Sequence, residues 1–134
     1  MSGYALDTNI ISFLLRGNRA LQDKIYTMAN AGHSIVIPSI AFYEVKRGLL
    51  DCNATSKLKA FEQLCDALSV DDIGMDTLEA ASKVYVSLKQ QGQMIDDSDI
   101  LIGASCIARG HILITDNTRH FDRIDGLSIE NWSK

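Results

Sequence analysis

Acidic and amide side chains occur at four places in this 134-residue chain where an α/β protein would hold a divalent metal ion. Asp7 and Asp116 each follow a short apolar run typical of a β-strand, and Asn117 is the next residue after Asp116. Glu44 and Asp99 lie in the first half of segments with helical periodicity. Ligands of open parallel sheets bind outside the carboxyl ends of the strands, so we expect these side chains to meet there. Because clustered carboxylates repel one another unless a cation neutralises them, the pattern predicts a hard metal ion with oxygen ligands.

A metal ion held by carboxylates suits the hydrolysis of a phosphodiester bond. The reaction needs an activated water molecule and neutralisation of the charge on the scissile phosphate, and one or two Mg²⁺ or Mn²⁺ ions supply both. Mg²⁺ keeps several water molecules and takes only a few carboxylates, which suits three or four acidic side chains without histidine or cysteine. The sequence has no GxxxxGK[ST], GxGxxG, GxSxG or HExxH motif, so metal-assisted hydrolysis is the catalytic chemistry that remains.

Each of these residues also has a purely structural interpretation. Asp7 is a favoured type of helix N-cap, and Glu44 early in a helix would match the helix dipole. Residues 116–117 are typical of an Asx turn after a strand. Each interpretation is reasonable alone, but these roles would then have to coincide at the mouth of one sheet. A metal site accounts for them together.

Three aspartates crowd the start of the segment 96–109. Asp96 is a good N-cap and Asp97 a good first-turn residue, so we assign both to helix capping. Asp99 differs because it lies one turn before Gly103, whose missing side chain lets another group approach that helix face. Asp99 is therefore the metal-site candidate of this segment.

Short apolar runs alternate with longer segments of helical periodicity, which predicts an α/β fold with a short, mainly parallel sheet covered by helices on both sides. The strands are predicted at residues 3–6, 34–37, 68–70, 112–114 and 127–129. The helices are predicted between a cap at 7–9 and a stop at Gly17, then at 19–31, 39–49, 55–67, 75–91 and 96–109. With one proline and no repeat or low-complexity stretch, residues 1–134 are predicted to form a single domain.

The composition, with 46% apolar and 22% charged residues, is typical of a soluble globular chain. No apolar run approaches the roughly 18 residues of a membrane span, and the N-terminus lacks a signal-peptide pattern, so we expect a cytoplasmic protein without membrane association. Cys52, Cys65 and Cys106 form no CxxC pair and are odd in number, so we expect unpaired thiols. The net charge of −4 disfavours nonspecific coating of nucleic acid and favours a basic partner protein or peptide.

The motifs taken together resemble those of PIN-domain ribonucleases, and the C-terminal one resembles the VapC-type toxins. They are LDTNI at 6–10, SIAFYEV at 39–45 with Gly48, DILIGA at 99–104, and ITDNTRHF at 114–121 followed by Gly126-Leu127 and Asn131-Trp132. The resemblance covers essentially the whole chain in the right order and spacing. It implies a PIN-like fold.

The resemblance also implies a set of site residues. Asp7, Glu44 and Asp99 would be the core metal ligands. The fourth position is either Asp116 or Asn117, because the family often has T-x-D or T-x-N there. Thr8 and Thr115 would orient ligands or water around this site, and Gly103, where the family usually has alanine, is expected to be a harmless departure.

The activity implied by the resemblance is that of a Mg²⁺- or Mn²⁺-dependent endoribonuclease, the toxin of a toxin–antitoxin pair. It would cut RNA, such as tRNA or ribosomal RNA, and leave a 5′-phosphate and a 3′-hydroxyl. A homodimer and a cognate antitoxin are the expected protein partners. The antitoxin would lay a segment into the groove and place an arginine or lysine among the carboxylates.

Basic residues close in sequence to the acidic positions are candidates for phosphate contacts, although each is also compatible with a solvated surface charge. They are Arg16, Lys46, Arg47 and Arg119, with His120 as either a surface loop residue or a further phosphate contact.

Other functional classes remain open. A PIN-type nuclease outside any toxin pair would keep the same site, whereas a non-cleaving module would grip RNA or a protein on the same fold. A receiver-like or phosphatase α/β domain also gathers aspartates at strand ends. That class usually has a lysine after a late strand, where this chain has Asp116.

Overall fold

The computed structural model describes residues 3–133, which form five strands and seven helices. The strands are β1 (Gly3–Leu6), β2 (Ser34–Pro38), β3 (Val70–Asp71), β4 (His111–Ile114) and β5 (Ile129–Glu130). The helices are α1 (Thr8–Leu15), α2 (Arg19–Asn30), α3 (Ser39–Asp51), α4 (Thr55–Leu68), α5 (Met75–Gln90), α6 (Asp97–Arg109) and α7 (Thr118–Phe121).

The five strands form one sheet in the order β3-β2-β1-β4-β5, and every neighbouring pair is parallel. In β1, the consecutive residues Tyr4, Ala5 and Leu6 are all buried. Successive side chains of a strand point to opposite faces, so both faces of the sheet are covered. The predicted α/β class with a short, helix-covered parallel sheet is confirmed.

The register of the two central strands brings their carboxyl ends to one level. Leu6 of β1 is the partner of Ile114 of β4, and the backbone N–H of Asp7 donates to the carbonyl of Ile114 at 2.9 Å. Asp7 and Thr115 therefore leave the sheet side by side. This is the edge at which the sequence predicts the metal site.

The predicted strand over 68–70 is wrong at its first two residues. Helix α4 continues through Leu68, and Ser69 adopts a positive φ of 87°, which turns the chain into β3 at Val70. The predicted edge strand at 127–129 is displaced, because β5 comprises Ile129–Glu130, although it does lie at the sheet edge. Helix α7 was not predicted.

The three cysteines are free thiols, as predicted, and Cys106 is buried in the core. Burial, together with the charges of Asp7 and Asp71, raises the pKa of its thiol to about 12. Among residues 3–133, no helix is long and apolar enough to cross a membrane.

Candidate metal centre

Asp7 joins the end of β1 to the start of α1 and is 4% exposed. Its Oδ1 accepts a hydrogen bond from the backbone N–H of Thr8 at 2.8 Å, which makes Asp7 the N-cap of α1. Its Oδ2 accepts a hydrogen bond from the hydroxyl of Thr115 at 2.7 Å. The capping role and the predicted position at the site are both present in the structure, so they are not alternatives.

Burial raises the pKa of Asp7 from 3.8 to about 6. The two hydrogen bonds from Thr115 and Thr8 oppose this shift, whereas the nearby negative charges of Asp99 and Asp116 add to it. The structure therefore brings three predicted carboxylates within electrostatic reach of one another.

Asp99 lies in the first turn of α6 and is partly buried. Burial raises the pKa of its carboxyl group, and the charges of Asp96 and Glu44 raise it further, while His120 lowers it. The Nδ1 atom of His120 lies 3.8 Å from Asp99 Oδ2. A buried carboxylate that faces other carboxylates is destabilised as an anion, and a cation would relieve that repulsion.

Glu44 reaches the site from the middle of α3. Its Oε1 accepts a hydrogen bond from the hydroxyl of Thr8 at 2.8 Å, and its Oε2 lies 3.9 Å from Nη2 of Arg47. The hydroxyls of Thr8 and Thr115 thus each donate to a different carboxylate of the cluster. Both threonines therefore hold carboxylates of the cluster in one orientation, and their role around a metal ion stays a prediction.

Asp116 and Asn117 follow β4 and have different surroundings. Asp116 Oδ1 accepts a long hydrogen bond of 3.4 Å from the amide of Asn9, and its charge acts on Asp7. Asn117 is the N-cap residue of α7, and its backbone N–H donates to Thr115 Oγ1 at 2.9 Å. Its side-chain Nδ2 lies 3.0 Å from Nδ1 of His120, and that ring atom lies 3.8 Å from Asp99 Oδ2.

The capping aspartates of α6 lie beside the site. Asp96 is the N-cap residue of α6, as predicted, although its side chain makes no capping hydrogen bond. Asp97 is exposed in the first turn, where its charge matches the helix dipole.

The predicted basic residues are not equivalent. Lys46 forms an ion pair with Glu62 at 3.6 Å. Arg47 lies beside Glu44 and its guanidinium stands 5.0 Å from the ring centroid of Tyr43. Arg119 is exposed on α7, next to His120.

The donor atoms of this cluster fit a hard divalent cation. Among residues 3–133, no three His, Cys, Asp or Glu side chains are arranged so that they could hold a metal ion by themselves. Mg²⁺ does not require such a closed set, because it is commonly bound through one or two carboxylates and completes its coordination with water. All the donor atoms are oxygens, which suits such an ion. Its positive charge would also stabilise the ionised forms of Asp7 and Asp99, whose pKa values are raised in its absence.

Comparison with known proteins identifies the family of this chain. A family model described as "PIN domain" matches residues 4–127. The chain belongs to the PIN-domain family. A ribonuclease VapC2 from Rickettsia felis is 28% identical, with 98% of each chain covered. A tRNA(fMet)-specific endonuclease VapC from Shigella flexneri is also 28% identical, over 99% of this chain and all of the relative.

A solved structure gives the same result in three dimensions. VapBC2 from Rickettsia felis, bound to a DNA fragment from its promoter, has a chain that superposes with a TM-score of 0.88 at 27% identity. The match covers 97% of this chain and 98% of that one.

One contact of this PIN domain was missed from the sequence. His120 lies between the amide of Asn117 and the carboxylate of Asp99, instead of in a solvated loop. The signal was the three-residue spacing from Asn117 to His120, which places both on one side of a helical turn. That signal becomes informative only once α7 is known to be helical.

Proposed function

We propose that this PIN domain is a divalent-metal-dependent endoribonuclease that acts as the toxin of a toxin–antitoxin pair. The observation that carries the proposal is the cluster of Asp7, Glu44 and Asp99 at the carboxyl edge of the sheet. Burial raises the pKa of Asp7 and of Asp99, and the charge of Asp99 adds to the first shift and that of Glu44 to the second. Relatives named as VapC ribonucleases match over almost the full chain. Nucleases of this type generally depend on divalent metal ions.

The ligands of the ion are proposed to come from Asp7, Glu44, Asp99 and Asp116, with water molecules completing its coordination. When bound, Mg²⁺ or Mn²⁺ would supply an activated water molecule and neutralise charge on the scissile phosphate. The chain's own contribution is orientation. Thr115 and the N–H of Thr8 fix the carboxylate of Asp7, and the hydroxyl of Thr8 fixes that of Glu44.

Asn117 is proposed as the alternative to Asp116 at the fourth position. Its side-chain Nδ2 contacts His120, which leaves its Oδ1 as the atom that would face the ion. The products would be a 5′-phosphate and a 3′-hydroxyl. The substrate would be a structured cellular RNA such as tRNA or ribosomal RNA, encountered in the cytoplasm.

Two protein partners belong to the proposal. A cognate antitoxin is supported by the VapBC structure from Rickettsia felis and by the acidic net charge, which suits a basic inhibitory segment. A homodimer is supported by an apolar surface on α5 and α6.

Expression in cells with sequencing of RNA 5′-phosphate ends tests the activity. Wild type should arrest growth and create discrete new ends, whereas Asp99→Asn should do neither. With purified protein and Mg²⁺ or Mn²⁺, Asp99→Asn should lower the cleavage rate by at least about 100-fold, since weaker perturbations around metal sites already cost about 10- to 100-fold.

Asp97→Asn is the matched control, because it makes the same charge change two residues away on an exposed side chain. It should cleave as wild type does. Absence of new ends with folded wild-type protein and added metal would refute the nuclease and favour a PIN-fold module that binds without cutting.

A further inference from the structure

Helices α1, α3 and α4 enclose a cleft of about 180 Å³ that opens directly beside the carboxylate cluster. Thr8 and Glu44, which are hydrogen-bonded to each other, are among its lining residues. Leu15 and Leu49 provide an apolar wall. The cleft is therefore continuous with the proposed catalytic site but extends beyond it.

Gly48 lies on the wall of this cleft, in the interior of α3. Glycine inside a helix is about 1 kcal/mol less favourable than alanine, so its presence calls for a reason. Gly48 is not among the glycines with positive φ, and a Cβ atom added there would meet no atom within 4 Å. Neither backbone conformation nor packing within residues 3–133 requires glycine at this position. Because Gly48 lines the cleft and the position of its Cβ atom is open, we expect a larger side chain there to take up cleft space.

Two cations, Arg16 and Lys57, line the same cleft. Neither forms an ion pair with any residue in the range 3–133, whereas Lys46 and Arg47 on α3 are both paired with glutamates. Unneutralised cations at the rim of an apolar cleft complement a ligand that combines a flat apolar group with negative charge. A nucleotide has this combination.

We propose that this cleft binds one nucleotide of the RNA strand next to the scissile phosphate. The base would lie against Leu15 and Leu49 in the space left by Gly48, and a flanking phosphate would lie at Arg16 and Lys57. The proposal rests on the proposed ribonuclease function. It requires a single-stranded stretch of substrate, because a base enters such a cleft only when it leaves its stack.

Charge favours RNA over an antitoxin segment as the occupant. A basic segment suited to the acidic cluster would be repelled by Arg16 and Lys57 at the cleft rim. RNA reverses this relation, because its phosphates are attracted to the two cations.

Binding of a fluorescein-labelled, mixed-sequence single-stranded oligoribonucleotide in EDTA tests the cleft independently of cleavage. Gly48→Leu should fill the space and weaken binding about tenfold or more. Its thermal unfolding temperature should be at least that of wild type, because leucine favours the helix more than glycine does. Gly48→Ala, which adds one carbon atom, should bind within about twofold of wild type.

The cations are tested by the salt dependence of the same binding. Each phosphate contact to a single strand contributes about −0.7 to the slope of log K against log salt concentration. Arg16→Gln and Lys57→Gln should each reduce the slope by about this amount, whereas Lys89→Gln, an exposed control on α5, should not. Unchanged binding by Gly48→Leu, or slopes equal to that of the control, would overturn the proposal.

A parallel cleavage assay with Mg²⁺ or Mn²⁺ separates this proposal from the proposed function. If wild type cleaves RNA and the cleft variants match it in binding and KM, only the nucleotide site is wrong. If wild type does not cleave, the ribonuclease proposal fails, whatever the binding result. Normal RNA binding by Gly48→Leu with lost inhibition by a co-expressed antitoxin would assign the cleft to a protein partner.

Discussion

Asp7 shows how one side chain serves both the fold and the site. Its two oxygens accept hydrogen bonds from the N–H of Thr8 and the hydroxyl of Thr115, which hold the carboxylate in one orientation. A carboxylate oxygen that accepts one hydrogen bond retains lone-pair capacity for a cation. Without a cation, burial and the neighbouring charges make the ionised form of Asp7 unfavourable, and its pKa rises to about 6.

The raised pKa of Asp7 predicts a pH dependence of stability in EDTA. Since the folded-state pKa of about 6 lies above the unfolded value of 3.8, the native state binds more protons between these values. The free energy of unfolding should therefore fall as the pH rises from about 4 to about 6 and stay low above that, by an amount on the order of 3 kcal/mol from Asp7. Asp7→Asn should remove most of this fall.

Urea unfolding across that pH range measures the effect. Asp23→Asn, on the exposed side of α2, is the control and should keep the wild-type profile. An Asp7→Asn profile that parallels the wild type would show that Asp7 is not the group responsible.

Metal addition should restore the free energy of unfolding that ionisation of Asp7 removes. A ligand that binds only the native state stabilises it in proportion to the logarithm of its concentration above Kd, about 1.4 kcal/mol for each tenfold increase. Because the carboxylates must be ionised to bind, Mn²⁺ or Mg²⁺ should raise the unfolding temperature of wild type more at pH 7.5 than at pH 5. Asp99→Asn should show a much smaller rise at pH 7.5, whereas an equal rise would place the ion elsewhere.

At the scale of elements, α6 is positioned by close contact with the segment after α7. A Cβ atom at Gly103 would lie 2.8 Å from Cδ1 of Ile124 and 3.4 Å from Cδ2 of Leu127. Because Gly103 has no side chain, Ile124 and Leu127 can pack closely against α6. This contact explains why a glycine occurs at this position of the sequence. Asp99 lies one turn before Gly103 on the same helix.

This contact predicts that Gly103→Ala is not fully neutral. Crowding against Ile124 should outweigh the helix propensity of alanine and lower the free energy of unfolding by roughly 1 kcal/mol. Ile124→Val removes the crowded methyl group. The double variant should therefore lose less free energy of unfolding than the two single variants lose when their losses are added. A double-mutant cycle by chemical denaturation measures this coupling, and strict additivity would contradict it.

How far the sequence predicts an element depends on whether its signal is local. The start of α1 could be placed because Asp7 is a favoured N-cap residue, and it does cap the helix. The end of α6 could be placed because a glycine follows it, and Gly110 does adopt the left-handed conformation, with a φ of 70°. Two-residue β3 and four-residue α7 are too short to show a period, so neighbouring strands and helices decide them. Asp7 and Asp116 could be singled out because they follow strands, and Glu44 and Asp99 because they lie early in helical segments. The Asn117–His120 contact depends on α7 and could not be anticipated.

At the scale of the whole molecule, the chain has an apolar surface that the fold leaves uncovered. Leu78, Tyr85 and Val86 of α5 are 42%, 41% and 51% exposed. They border a groove of about 500 Å³ between α5 and α6, whose inner wall includes Ile100 and Leu101. Contiguous exposed apolar surface of this kind is typical of protein–protein interfaces. Because the resemblance to VapC-type toxins implies a homodimer, we expect a second copy to cover it.

The dimer proposal predicts that polar substitutions on this surface yield a monomer. Leu78→Ser with Val86→Ser should shift the mass in light-scattering chromatography from dimer to monomer, because the lost apolar contacts no longer offset the entropy of association. Tyr26→Ser is a matched control, since Tyr26 is a 71% exposed aromatic residue on α2, outside this groove. It should remain dimeric. A dimer that survives the double substitution would locate the interface on another surface, and a monomeric wild type would refute the homodimer itself.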